Sequence, residues 1–479
     1  MLATQRTRAT GEQAMSEATT RPQAAAILAR LDRLPGTRHV WMLVMLLSFG
    51  GMFEFYDLFM TAYVIPGLMK AGLLAEVKVS IFAGPALFVA ATFTGLFIGT
   101  FAFGYIADKY GRRTIFTYSM LWYCAATLIM AFRNSGLEVA LWRLIAGVGI
   151  GVELVTIDTY ISELVPKRLR GRAFAFNQAV QFCVVPVVAF IAYILVPISP
   201  FGIDGWRWVV LIGSAGALFV WFIRRAVPES PRWLINQGRI AEAEAITAAI
   251  EAKVMADLGG AALPVPASHA TERVEKMGSF GEIFEPPYRS RTLMLMVFQF
   301  FKTFGFYGFA NWVPTLIAQQ TGINLSASLL YAFIIAIANP FGPLLAMGFA
   351  DKVERKWQLV AAACGIGVFG VLFSFQTTMA MLILCGVLIT LSNNVLSYAF
   401  HGYQTELFPT RVRARAVGFT YSFSRISAVF VGFIIVYLLQ NFGTKGVFGL
   451  IAFAMVMVVV SIAGWGPRTR NLELEQIST

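Results

Sequence analysis

Twelve apolar runs, each long enough to cross a lipid bilayer, constrain this chain more than any other feature. They lie near residues 41–66, 81–106, 114–132, 137–158, 173–197 and 207–227, then near 293–319, 326–350, 357–375, 379–402, 416–439 and 446–465. A hydrocarbon layer takes about twenty helical residues. With no water to bond the backbone, each run must satisfy its own amides and carbonyls as a helix. The expected fold is therefore an all-α membrane protein with twelve transmembrane helices. Composition agrees: 57% of the 479 residues are hydrophobic and 13% charged, about half the charged share of a soluble domain.

The spans divide the chain into an N-terminal tail (1–40), a first bundle (41–227), a polar linker (228–292), a second bundle (293–465) and a C-terminal tail (466–479). The first forty residues hold no apolar core after the early arginines, so no cleavable signal is read there. A short amphipathic helix is expected over 24–34, ending at Pro35 and Gly36.

The net charge of +12 is a topology signal rather than a nucleic-acid surface. Of 38 Lys and Arg, five (Lys70, Lys78, Arg133, Arg207, Lys445) fall on one side of the membrane, thirty on the other, in the tails and the loops after even-numbered helices, and three (Arg143, Lys302, Arg425) inside spans. The positive-inside rule then places both termini in the cytoplasm, with a bacterial cytoplasmic membrane as the expected location. Cys124, Cys183, Cys364 and Cys385 each stand alone in apolar stretches and are read as small core residues, not as metal ligands or disulfides.

The two halves repeat one another. Asp108, Arg112 and Arg113 follow helix 2, and Asp351, Arg355 and Lys356 follow helix 8. Glu163, Pro166, Arg168, Arg170 and Arg172 follow helix 4, and Glu406, Pro409, Arg411, Arg413 and Arg415 follow helix 10. Asp108 to Asp351 and Glu163 to Glu406 are both 243 positions, which points to duplication of a six-helix unit. Each motif sets a carboxylate beside arginines where helices leave the membrane. Asp108, Arg112, Glu163, Arg170, Asp351, Arg355, Glu406 and Arg413 are thus candidates for a cytoplasmic gate that must break when that side opens, or else topology markers alone.

These motifs, with Arg143-x-x-x-Gly147-x-Gly149-x-Gly151 in helix 4, Trp206-Arg207-Trp208 before helix 6, and the run from Pro228 through Glu229, Ser230, Pro231 and Arg232 to Trp233 and Leu234 after it, resemble the major facilitator superfamily, in its sugar-porter-like and metabolite:proton symporter branches. The resemblance spans helix 1 to helix 11. It implies two six-helix bundles around a central cavity, with inverted repeats inside each, and a linker over 228–292 carrying short helices, one of them over 240–254. It also makes Asp57, after Tyr56, similar to the proton site of sugar-type symporters and Arg143 similar to its helix 4 partner.

Charges at membrane depth cost roughly 2.5–3.5 kcal/mol each on insertion scales, so each needs a reason. Glu54 and Asp57 share one face of helix 1, and helix 4 carries Arg143, Glu153 and Asp158. An Asp held ionised by Arg yet destabilised by burial can be tipped by conformation; Asp57, Arg143, Glu54 and Glu153 are the candidate proton-coupling residues, with a static pair positioning two helices as the alternative. Gln178, Gln181, Gln299, Lys302, Tyr307, Asn311, Asn394, His401 and Arg425 are the candidate substrate-binding residues, because amides and phenols replace the water of a polar solute. Some of them can serve instead as bonds between helices.

Against the sugar-porter pattern, the second Gln of helix 7 is Lys302 here and the helix 10 Trp is His401. Loss of a stacking ring and gain of a cation favour a carboxylate-bearing metabolite over a hexose. Lys302 and Arg425 have no acidic residue in helices 7–11 to pair with; the alternatives are Lys302 pairing with Glu54 across the cavity, or Arg425 reaching for the interface. Gly365-x-Gly367-x-x-Gly370 has dinucleotide spacing but sits in an apolar helix and follows no strand, so it is packing glycine. The expectation is a secondary active transporter, not an enzyme: a proton symporter of a small polar metabolite, an organic acid, with no cofactor and no metal. Its partners are that small molecule, protons and the lipid bilayer, in a monomer without nucleic acid. The alternatives are a sugar or polyol transporter, facilitator or exporter on the same frame, or a sensor that has lost transport.

Overall fold

The computed structural model describes residues 22–74, 78–79, 82–103, 106–266, 279–349, 353–408 and 410–469, apart from some side chains within helices, Asp108 and Arg413 among them. A tail helix, α1, covers 22–32. The first half then runs through α2 (Arg38–Lys70), α3 (Gly84–Phe103), α4 (Ile106–Tyr110), α5 (Arg112–Ala131), α6 (Gly136–Leu164), α7 (Arg170–Phe182), α8 (Val184–Leu195), α9 (Gly205–Ser214) and α10 (Gly216–Ala226). The linker carries α11 (Pro231–Asn236) and α12 (Ile240–Asp257). The second half has α13 (Tyr288–Ala310), α14 (Val313–Thr321), α15 (Leu325–Ala336), α16 (Phe341–Phe349), α17 (Arg355–Phe375), α18 (Met379–Glu406) and α19 (Thr410–Val460). A two-residue antiparallel ladder joins β1 (Lys78–Val79) to β2 (Phe82–Ala83) before α3.

Among the described residues ten helical segments are long and apolar enough to span a bilayer. The 51 residues of α19 are two spans that meet at Gly443, where φ 63° and ψ −160° suit only a glycine. The span expected over 207–227 is the pair α9 and α10, broken at Ala215. Twelve spans result.

Other breaks have local causes. Pro186 lacks the N–H that would have bonded to Phe182, and the helix parts there into α7 and α8. In the second half α13 stops at Asn311 and restarts as α14 with Pro314 in its first turn. Asn324 caps α15 by accepting from the Ala327 N–H at 2.9 Å.

Close packing explains the helix 4 glycines. A Cβ on Gly147 would lie 2.6 Å from the Thr92 carbonyl oxygen, so α6 and α3 can touch backbone to backbone only without it. Gly365 and Gly370 likewise face Ser392 and Phe448 inside α17, as packing glycines. The cysteine reading needs correction. Cys124 and Cys385 are buried, but Cys183 and Cys364 are exposed, because an apolar run in lipid need not turn every residue inward.

On the face that carries the tails, the Glu229 carboxylate accepts from the backbone N–H groups of Arg112 and Arg113 at 3.0 and 3.2 Å, capping α5. Arg232 bridges Asp32 at 2.7 Å and the Glu163 carbonyl at 3.1 Å. At the other end of α5, Arg207 donates to the Ala131 and Arg133 carbonyls. The linker and tryptophan motifs are thus braces for one bundle. The tail helix docks on α12 through Arg30 and Arg33, which hold Glu251 at 2.5 and 2.6 Å; Arg30 also pairs with Glu244. Beneath them Leu31 and Leu34 pack on Ile250 and Val254.

Candidate functional site

The innermost polar cluster belongs to the first half. Arg143 Nη1 lies 2.7 Å from Asp57 Oδ2, and both side chains are sealed from solvent at 0% and 1% exposure. Three threonines complete the shell. Arg143 donates to Thr61 Oγ1 at 2.8 Å and to Thr92 Oγ1 at 2.9 Å, while Thr127 donates to Asp57 Oδ1 at 3.0 Å. Arg143 also donates to the Asp57 carbonyl. A buried ion pair is tolerable only when its remaining donors and lone pairs are met, and these hydroxyls meet them. Sequence reasoning missed all three. Their only signal is the i, i+4 spacing of Asp57 and Thr61, since the others come from α3 and α5.

Glu54 sits one turn before Asp57 and lines the central cavity, with Oε1 buried and unpartnered. Glu153 lies off the cavity, fully buried with neither carboxylate oxygen hydrogen-bonded. Tyr56 turns away, its hydroxyl donating to the Val209 carbonyl at 2.9 Å.

Between the halves lies a cavity of about 560 Å³. Its mouth includes Arg355, Gln358, Gln404 and Glu406, so it opens on the face that bears the tails and the basic loops. Gln178, Gln181, Lys302, Tyr307, His401 and Arg425 all line it, together with Asp158, Asn177 and Asn393. Gln178 Nε2 reaches Ser397 Oγ at 3.4 Å, bridging the halves. Aromatic rings, Phe55, Phe59, Phe182 and Phe306 among them, form much of the remaining wall.

Three expected binding residues lie elsewhere. Gln299 is fully buried behind the wall with both amide atoms unpartnered, and Asn311 ends α13 away from the cavity. Asn394 donates to the Asn339 carbonyl at 2.9 Å and lines a separate 30 Å³ hollow. These amides point between packed helices, which residue type and spacing alone do not distinguish from a cavity face.

The cations of the second half hold their places by neutral contacts. Arg425 is 1% exposed and donates to the hydroxyls of Tyr307 at 3.1 Å and Tyr421 at 3.2 Å, leaving Nε unpartnered. It does not reach the interface. Lys302 Nζ lies 4.2 Å from the Phe400 ring centroid and 5.7 Å from that of Tyr421, a cation–π seat. No carboxylate lies within 4 Å of either cation among the described residues, so Lys302 does not pair with Glu54. His401 Nδ1 sits 2.7 Å from the Ser397 carbonyl, which can only accept; Nδ1 therefore carries the proton and Nε2 is left for the cavity.

On the basic face, Arg112 pairs with Glu163 at 2.9 Å in the first half, and Arg355 with Glu406, at the cavity mouth, at 3.0 Å in the second. Arg355 and Glu406 stand 243 positions after Arg112 and Glu163, so the repeat extends to the ion pairs themselves. Each pair closes within its own half. Arg170 turns to the Val165 carbonyl and toward Asp32 at 3.9 Å. Asp351 and the side chains of Asp108 and Arg413 lie outside the described residues.

Comparison with known proteins agrees with this architecture. The family model for "Sugar (and other) transporter" matches residues 43–479. The putative metabolite transport protein YyaJ of Bacillus subtilis is 28% identical over 93% of this chain and 96% of its own. The niacin transporter NiaP of Acinetobacter baylyi is 27% identical over 94% and 99%, and the putative metabolite transport protein YdjK of Escherichia coli 30% identical over 94% and 96%. Among solved structures, a partially occluded inward-open conformation of the E. coli xylose transporter XylE superposes with a TM-score of 0.72 at 20% identity, covering 91% of this chain and 99% of that one. At that identity the likeness concerns the fold.

Proposed function

The chain belongs to the sugar (and other) transporter family of the major facilitator superfamily, so it is a membrane transporter rather than an enzyme, and we propose that it imports a small organic acid together with protons. The observation that carries this reading is the pair Lys302 and Arg425: a half-buried and a fully buried cation on the cavity wall, with tyrosines and rings around them and, among the described residues, no carboxylate within 4 Å. A buried cation without a counter-ion is costly, and a substrate carboxylate supplies one, with the Arg425 fork able to hold it at two points.

Transport follows alternating access. The basic face is cytoplasmic by the positive-inside distribution, and the cavity open to that face is the inward-facing state. Asp57, held by Arg143, takes and releases the coupling proton, with Glu54 and Glu153 beside it as further acidic groups. Arg112–Glu163 and Arg355–Glu406, each closed within its own half here, re-pair across the halves when that face shuts. The protein acts as a monomer in a bacterial cytoplasmic membrane. A sugar or polyol is the second reading, supported by Gln178, Gln181 and Asn393 on the wall.

Niacin in the name of one relative suggests a matched pair of probes. In proteoliposomes, nicotinate is expected to inhibit uptake more strongly than nicotinamide, its neutral counterpart, and Lys302→Gln to remove that preference. Equal inhibition by acid and amide in the unaltered protein refutes the carboxylate reading.

A further inference from the structure

The cavity wall is divided by charge along the line between the halves. Glu54 and Asp158 face it from α2 and α6, and Lys302 and Arg425 from α13 and α19. Glu54 and Arg425 are each only 1% exposed. Each also keeps an unpartnered polar atom, Oε1 on one side and Nε on the other. Among the described residues neither acidic side chain has a Lys or Arg within 4 Å, and neither cation has a carboxylate within that distance. Rings of Phe55, Phe182 and Phe306 line the space between.

A simple carboxylate satisfies half of this wall. It gives Lys302 and Arg425 a counter-ion but leaves Glu54, buried, and Asp158, exposed on the cavity wall, with no donor. A simple cation fails in the opposite way. Only a molecule with both poles completes the two walls together, and by doing so it ties α2 and α6 to α13 and α19, the contact that occlusion around a substrate requires.

We propose that the substrate is a small zwitterion, with a carboxylate held by Arg425 and Lys302 and a cationic nitrogen at its far end held by Glu54 and Asp158. This rests on the carboxylate reading above and adds the second pole. Substrate selection then resides in both halves: the second reads the anion and the first reads the nitrogen, with the aromatic wall accepting a flat spacer.

Three compounds of nearly one shape separate the possibilities: 4-(aminomethyl)benzoate, with both poles; 4-methylbenzoate, with the anion alone; and 4-methylbenzylamine, with the cation alone. Binding to the purified full-length protein in lipid nanodiscs is measured by calorimetry at neutral pH. The zwitterion is expected to bind at least tenfold more tightly than either single-pole compound. Glu54→Gln and, separately, Asp158→Asn are expected to remove most of that advantage while changing 4-methylbenzoate affinity less than threefold, which shows that the variant cavity is still formed. If 4-methylbenzoate binds as tightly as the zwitterion, the second pole is wrong and the carboxylate reading stands. If neither carboxylate binds, or if 4-methylbenzylamine binds best, both readings fall. An advantage that survives in both variants also overturns the assignment of the nitrogen to Glu54 and Asp158.

Discussion

Phe93 on α3 lies against the ring of Tyr307 on α13, their centroids 4.5 Å apart, and so joins the two halves between the buried ion pair and the cavity. Its chain neighbour Thr92 accepts from Arg143, and the Tyr307 hydroxyl accepts from Arg425. One aromatic contact therefore stands between the coupling pair and a substrate-facing cation. Such a ring pair contributes about 0.5–1.5 kcal/mol beyond its burial, enough to bias two conformations without deciding the fold.

Phe93→Ala is expected to lower proton-driven accumulation at least tenfold while substrate counterflow falls less than threefold, and Phe93→Tyr to restore accumulation. Uptake and counterflow in the same vesicles check this. A proportional loss of both signals would reduce Phe93 to a packing role.

Asp57→Asn is expected to abolish accumulation against a gradient and to leave exchange measurable. The asparagine oxygen can still accept from Arg143, but the opposite charge is gone, and an uncompensated buried cation costs a few kcal/mol, up to about 3–5. A lowered melting temperature should therefore accompany the transport defect. A variant that still concentrates substrate would remove Asp57 from the coupling mechanism.

Glu163→Gln and Glu406→Gln test the basic face. If these carboxylates re-pair with arginines of the other half when the basic face closes, losing either one favours the state with the cavity open to that face. Cysteines introduced on the cavity wall should label faster from the cytoplasmic side in both variants. Unchanged labelling would leave the duplicated motifs as topology markers.

The tail helix should respond to acid. Burial opposes the charge on Glu251, but the hydrogen bonds from Arg30 and Arg33 outweigh it and hold the carboxyl below its ordinary value of 4.5. A depressed carboxylate stabilises docking fully above its free value and loses that contribution as pH falls through the docked value. Docking of α1 on α12 is thus expected to persist from neutral pH to about 5 and to loosen below 4.5. Limited proteolysis near Pro35 across that range reads it out, and Glu251→Gln should show the loosened pattern already at neutral pH.

Sequence by itself determined the number of spans, their grouping and the duplication, because lipid forces each crossing to be a local helix of about twenty apolar residues and because Arg112–Glu163 and Arg355–Glu406 keep one spacing. The cost of buried charge marked Asp57 and Arg143 as residues that need a reason; that they pair was an expectation from the family resemblance, and the structure sets them 2.7 Å apart. Tertiary structure alone decided which polar groups meet the cavity. Lys302 and Gln299 are three residues apart on one helix, yet Lys302 faces the cavity and Gln299 is shut behind its wall. Thr61, Thr92 and Thr127 converge on one ion pair from three helices. The rotation of each helix about its axis and the breaks at Ala215, Pro186, Asn311 and Gly443 set those directions. Rotation and breaks are settled by packing between helices, which no single run of residues records.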